Sequence, residues 1–171
     1  PEDDILWDIQ EQGHDILTAA GYEQYEISGY SLPGQQCQHN LNYWRFGDYL
    51  GIGCGSHGKV TLKDSGQIIR TVKVKHPKGY MDLTRSYMHQ QHEVQDDELP
   101  FEFFMNRLRL LEPCPKQDFT EFTGLVMAEQ PQLLKNLNSA ISKGLLAETE
   151  THWQVTPLGR RYLNTLLEML V

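Results

Sequence analysis

HNLNYWRFGDYLGIGCGSHG, residues 39 to 58, places Gly47, Gly51, Gly53, Gly55 and Gly58 in one short span, directly behind an aromatic block headed by a histidine. Glycine is used where a backbone takes positive φ or comes close to something else. Gly53-x-Gly55-x-x-Gly58 satisfies the dinucleotide-binding pattern. That pattern needs a helix directly after the glycines, so that a phosphate can sit at its N-terminus. The next residues, KVTLKDSGQIIRTVKV, read instead as two strands around a turn, so the context excludes a dinucleotide site. Two readings of the glycines remain: a tight crossing of strands in a barrel, or a backbone wall against a cofactor or substrate.

The chain has 171 residues, 39% apolar and 22% charged, which suits one compact domain or two small ones. Its net charge of −8 gives no general attraction to nucleic acid. No apolar run approaches the ~18 residues that span a bilayer, and no signal peptide is visible. PEDD opens straight into a helical pattern without a Met, which reads as a piece of something longer. Three scattered cysteines, Cys37, Cys54 and Cys114, suit a reducing cytoplasm and exclude a complete CxxxCxxC cluster motif within the chain.

Leu6, Ile9, Gly13, Ile16, Leu17 and Ala20 follow helical spacing up to a stop at Gly21. YEQYEIS then reads as a strand, giving a helix–strand unit of an α/β fold. Gly29 to Arg45 reads as a long connection, and DYLGIG as a second, buried strand. Val60–Leu62 and Ile68–Val74 flank a hairpin turn at Lys63-Asp64-Ser65-Gly66. A helix containing Tyr80, Leu83, Tyr87 and Met88 comes next, and EVQDDELP marks a domain boundary, dividing residues 1–95 from 96–171.

Beyond it, Phe101, Phe104, Met105, Leu108 and Leu111 form a helical stripe closed by EPCP. A short helix lies around Phe119 to Phe122. The next carries Leu133, Leu134, Leu137 and Ile141 and ends at Gly144. LLAETETHWQV reads as a hairpin, and Thr156-Pro157 as the N-cap and first residue of a last helix through Leu170. Helices, a hairpin and a closing helix spell a winged-helix-like domain. This raises DNA binding by a regulator as one function. The candidate recognition helix, QLLKNLNSAISKG, offers only Lys135 and Lys143 as cations, which is poor for phosphate contact.

The chemistry-bearing candidates are few. His39 with Asn40, Tyr43 and Trp44 reads either as a buried aromatic cluster with a structural histidine or as a site for a flat apolar ligand, with His39 as its metal ligand. Cys37, two residues earlier, would share a face with His39 if the segment were extended. His89-x-x-His92-Glu93 would set two imidazoles on one helical face, where they could grip zinc.

GYEQYEISGYSLPGQQCQHNLNYWRFGDYLGIGCGSHGKV resembles the barrel-closing segment of radical S-adenosylmethionine proteins of the oxygen-independent coproporphyrinogen III oxidase group. His39-Asn40-x-x-Tyr43-Trp44 is similar to the HNxxYW motif of the group's heme-chaperone (HemW) branch. The resemblance implies the C-terminal part of a radical S-adenosylmethionine α/β barrel followed by a small winged-helix-like domain. It implies heme binding through His39, Asn40, Tyr43 and Trp44, with His39 on the heme iron, and a cofactor-lining role for Gly51, Gly53, Gly55 and His57. In the longer protein it implies a [4Fe–4S] cluster, S-adenosylmethionine and heme-accepting partners in the cytoplasm. The alternative within the group is a coproporphyrinogen III dehydrogenase acting on porphyrin precursors by radical chemistry.

Overall fold

The structure, a computed structural model, describes residues 2–170. Helix α1, Asp3–Ala19, follows the expected apolar spacing and closes where Gly21 takes φ 85° and the Tyr22 amide donates to the Leu17 carbonyl. Much of its apolar stripe stays open: Ile5 is 50% exposed and Ile16 71%.

The expected first strand shrinks to β1, Glu23–Gln24, paired antiparallel with β2, Tyr30–Ser31. No parallel pairing links it to another strand among the described residues, and no closed barrel forms there. The expected long connection contains a helix, α2, Gln38–Trp44. DYLGIG is no buried strand: Leu50 is 78% and Ile52 86% exposed, and only Tyr49 bridges to Lys59.

The hairpin forms as read, from β3, His57–Thr61, and β4, Ile68–Lys73. A third antiparallel strand, β5, Met88–Glu93, pairs with β4 from Ile69↔Glu93 to Lys73↔Met88. The helix expected through Met88 is therefore only one turn, α3, Pro77–Tyr80. Residues 81–87 run on in turns and bends, and Met88 already pairs in the ladder.

From residue 99 the order is α4 (Leu99–Arg107), β6 (Cys114–Pro115), α5 (Lys116–Thr123), α6 (Pro131–Ser142), β7 (Leu146–Glu148) and β8 (His152–Val155). Two short helices come last, α7 (Pro157–Arg161) and α8 (Leu163–Glu168). The sheet order β6-β8-β7 beside three helices is the winged-helix arrangement. Phe103 and Phe119 meet edge-on at 5.5 Å, and Phe104 meets Trp153 at 5.4 Å, which locks α4 and α5 onto the sheet. Thr156 caps α7 by accepting from the Gly159 amide at 2.9 Å. The expected single last helix breaks at Tyr162, whose φ of −116° and ψ of 40° are not helical.

One buried cluster joins these residues to the preceding segment: Phe46, Ile68 and Val94 share it with Leu99, Phe103, Phe104 and Trp153. Val94 also donates its amide to the Ile68 carbonyl at 2.8 Å. The charged EVQDDELP stretch thus carries buried apolar anchors at Val94 and Leu99.

Candidate functional site

Helix α2 changes how the histidine block is read. In a helix, residues four apart are surface neighbours. His39 and Tyr43 form one such pair, and Asn40 and Trp44 form another beside it. The HNxxYW spacing is therefore a helical spacing, with both aromatic rings one turn along from the histidine and asparagine. Cys37 is the residue before the helix begins, so the shared face expected of an extended Cys37-x-His39 segment does not arise. Cys37 and His39 are both exposed.

The other three residues of the block are held from outside it. Asn40 donates through Nδ2 to the Tyr25 hydroxyl at 3.2 Å. Tyr43 packs on Tyr49 with ring centroids 4.8 Å apart and meets Trp44 edge-on at 4.5 Å. Arg109 lays its guanidinium over the Trp44 ring at 4.5 Å. Behind Tyr49, Arg70 donates to the phenol oxygen at 3.0 Å and is ion-paired in turn with Glu102 of α4. Burial, with Tyr43 close by, pushes the Tyr49 phenol up to about 12.

The helix is tied down at its end. Arg45 makes a two-pronged pair with Glu112, at 2.8 and 2.7 Å, and Glu112 also meets the buried Arg107 at 3.2 Å. Arg107 continues to Asp118 at 3.2 Å and donates to the Cys114 sulfur. After Arg45, Phe46 turns the chain with φ 66°, left-handed for a non-glycine residue. It is held there by full burial and by the Lys59 ammonium 4.2 Å from its ring. Burial lowers the Lys59 ammonium, while the Asp48 carboxylate at 2.9 Å opposes the shift.

The glycine loop has largely internal reasons for its composition. A Cβ on Gly51 would overlap the His57 carbonyl, because the chain crosses itself there. Gly53 and Gly55 take φ 107° and 69°, which favour glycine. The Gly53 amide donates to the Tyr80 hydroxyl at 3.0 Å and the Gly55 amide to the Val74 carbonyl at 2.9 Å. His57 opens β3 and is exposed. Tyr49, packed on Tyr43, links this loop to α2.

Among the described residues the second metal-ligand candidate does not gather. His89 and His92 lie on the edge strand β5, across a register shift, rather than on one helical face. The helix on which a zinc grip depended is absent. Cys114 is buried, while Cys37 and Cys54 are exposed. Among the described residues no three histidine, cysteine, aspartate or glutamate side chains are placed to hold a metal ion.

Known proteins resemble this chain in sequence and in fold. Residues 94–162 match the HemN C-terminal domain. Over all 171 residues the chain is 54% identical to the heme chaperone HemW of Escherichia coli and 52% identical to that of Haemophilus influenzae. The chain belongs to the HemN/HemW family. It spans 44% of the length of the first of these relatives and 43% of the second. The solved radical SAM enzyme coproporphyrinogen III oxidase (HemN) of Escherichia coli shares the fold, with a TM-score of 0.70 at 16% identity. That match covers 99% of this chain and 42% of HemN.

Sequence reading misses Tyr25, Tyr49, Arg109 and the Arg45–Glu112 pair. Tyr25 and Tyr49 read as strand residues, although a tyrosine in a polar context often marks a hydrogen-bonding tip. Arg109 and Glu112 are distant in sequence and carry no local signal.

Proposed function

We propose that the intact protein is a heme chaperone and that α2 is its heme-holding helix. The observation that carries this reading is the division of labour within the block. Asn40, Tyr43 and Trp44 are fixed by Tyr25, Tyr49 and Arg109, while His39 stays exposed, one helical turn before Tyr43. An exposed imidazole on a braced aromatic helix can ligate the iron of a flat apolar cargo, with Tyr43 or Trp44 against the macrocycle. Asn40, already bonded to Tyr25, sets the helix rather than the iron. The two relatives named heme chaperone HemW support the same cargo.

The cysteines of this chain do not suit a [4Fe–4S] cluster, so the cluster and the S-adenosylmethionine it serves in radical chemistry fall to other residues of the whole protein. Gly51, Gly53, Gly55 and His57 would then edge that cofactor's side, supported by the exposure of Leu50 and Ile52 around them. Residues 96–171 act as the seat for α2 through Glu112 and Arg109. Heme would pass to acceptor proteins in the cytoplasm. No helix among the described residues is long and apolar enough to cross a membrane.

The test is heme titration of the intact protein and of Tyr43→Ala and Trp44→Ala. Loss of one ring contact should raise the Kd roughly tenfold, the equivalent of about 1.4 kcal/mol. Unchanged affinity in both variants would remove α2 from the site.

A further inference from the structure

A concavity lies away from α2 and the glycine loop. It is a cleft of about 930 Å³ between α1 and the start of α7, walled by Leu6, Trp7, Ile27, Tyr30, Leu111 and Pro157. That size is typical of sites that take small organic ligands. Two guanidiniums close one side, Arg160 and Arg161. Arg161 stacks on the Trp7 ring at 4.3 Å, which presents the indole to the cleft. The Arg160 Nε is buried and has no hydrogen-bond partner. Among the described side chains neither arginine has a carboxylate within ion-pair distance.

A buried donor without a partner costs about 1–3 kcal/mol, and guanidinium geometry matches a carboxylate. Opposite, His14 and Tyr30 share a hydrogen bond of 2.9 Å between Nδ1 and the hydroxyl, which fixes both rings. Glu11 and Asp15 also face the cleft from α1, but both are exposed at its rim. The interior thus pairs aromatic and aliphatic walls with an unmet cationic donor.

We propose that this cleft is a binding site for an aromatic carboxylate, whose ring lies against Trp7 and Leu111 and whose carboxylate pairs with Arg160. The site shares no residue with α2, so its fate is separable from that of His39.

The probe is 1-pyrenebutyrate, titrated into the intact protein by pyrene fluorescence, with 1-pyrenebutanol as the uncharged counterpart. Saturable binding of the carboxylate is expected, weakened at least tenfold in Arg160→Gln and unaltered in His39→Ala. The alcohol should bind more weakly and ignore Arg160→Gln. Leu6→Asp, on the exposed lip of the wall, should weaken both probes and serves if Arg160→Gln fails to fold. Absence of saturable binding overturns the proposal. So does a carboxylate affinity that neither variant changes, or one lost in His39→Ala.

Discussion

Arg45 and Glu112, 67 residues apart in sequence, face each other through two parallel hydrogen bonds of 2.8 and 2.7 Å. The pair clamps the end of α2 to the segment after α4, and the buried Arg107 shares the same carboxylate. The Arg45 hydrogen bond, against opposing burial, holds the Glu112 carboxyl below the usual carboxylate range.

The two partners should therefore differ in cost. Arg45 is nearly half exposed, so Arg45→Ala should cost about 0.5–1 kcal/mol. Glu112→Gln leaves the buried Arg107 with Asp118 as its remaining carboxylate and should cost about 2–4 kcal/mol. Because the folded Glu112 pKa is depressed, its contribution is present above the unfolded value of about 4.3 and is lost as pH falls through the folded value. Urea denaturation should show the Glu112→Gln deficit at pH 7 and a smaller one at pH 3. An equal deficit at both would contradict the assignment.

The phenol of Tyr49, raised to about 12, stays neutral through ordinary alkaline conditions. Its folded pKa lies above the usual value near 10, so its stabilising share holds below that pH and is lost as pH rises toward 12. Tyrosinate absorbance formed up to pH 11 should be unchanged in Tyr49→Phe. A drop of one residue's amplitude would mean that Tyr49 ionises with the exposed tyrosines.

Two glycines should respond with opposite signs. Gly51→Ala drives a Cβ into the His57 carbonyl, a backbone atom with little room to move, and should cost about 1–3 kcal/mol. Gly13→Ala, in mid-α1 with nothing within 4 Å of the new Cβ, should gain about 0.5–1 kcal/mol. Thermal melts of both variants decide; a neutral Gly51→Ala would mean that the crossing is loose.

Where apolar residues keep a period, the sequence is readable. The α1 stripe, the β3–β4 hairpin, α6 and the Thr156 cap all lie where spacing and cap chemistry put them. The winged-helix order is legible for the same reason. Helix α2 is not, because QHNLNYW is short, mostly polar and buries only Leu41. Strand β5 is hidden because MHQQHE is an exposed edge held by its ladder rather than by alternating apolar side chains. DYLGIG misleads in the other direction, since Leu50 and Ile52 are apolar yet face outward. At the candidate site the motif residues can be named from the sequence, but their props cannot. Tyr25, Arg109 and Glu112 reach α2 only through tertiary contacts.

Whether α2 presents His39 to heme iron can be read from the absorption spectrum of the heme-loaded intact protein. Wild type should show a shifted Soret band, and His39→Ala should lose that shift with its far-UV circular dichroism unchanged. Cys37→Ala, altering only the residue that precedes the helix, should keep the wild-type spectrum. A His39→Ala protein with unaltered Soret band and heme affinity would refute iron ligation by α2 and leave His39 a surface histidine.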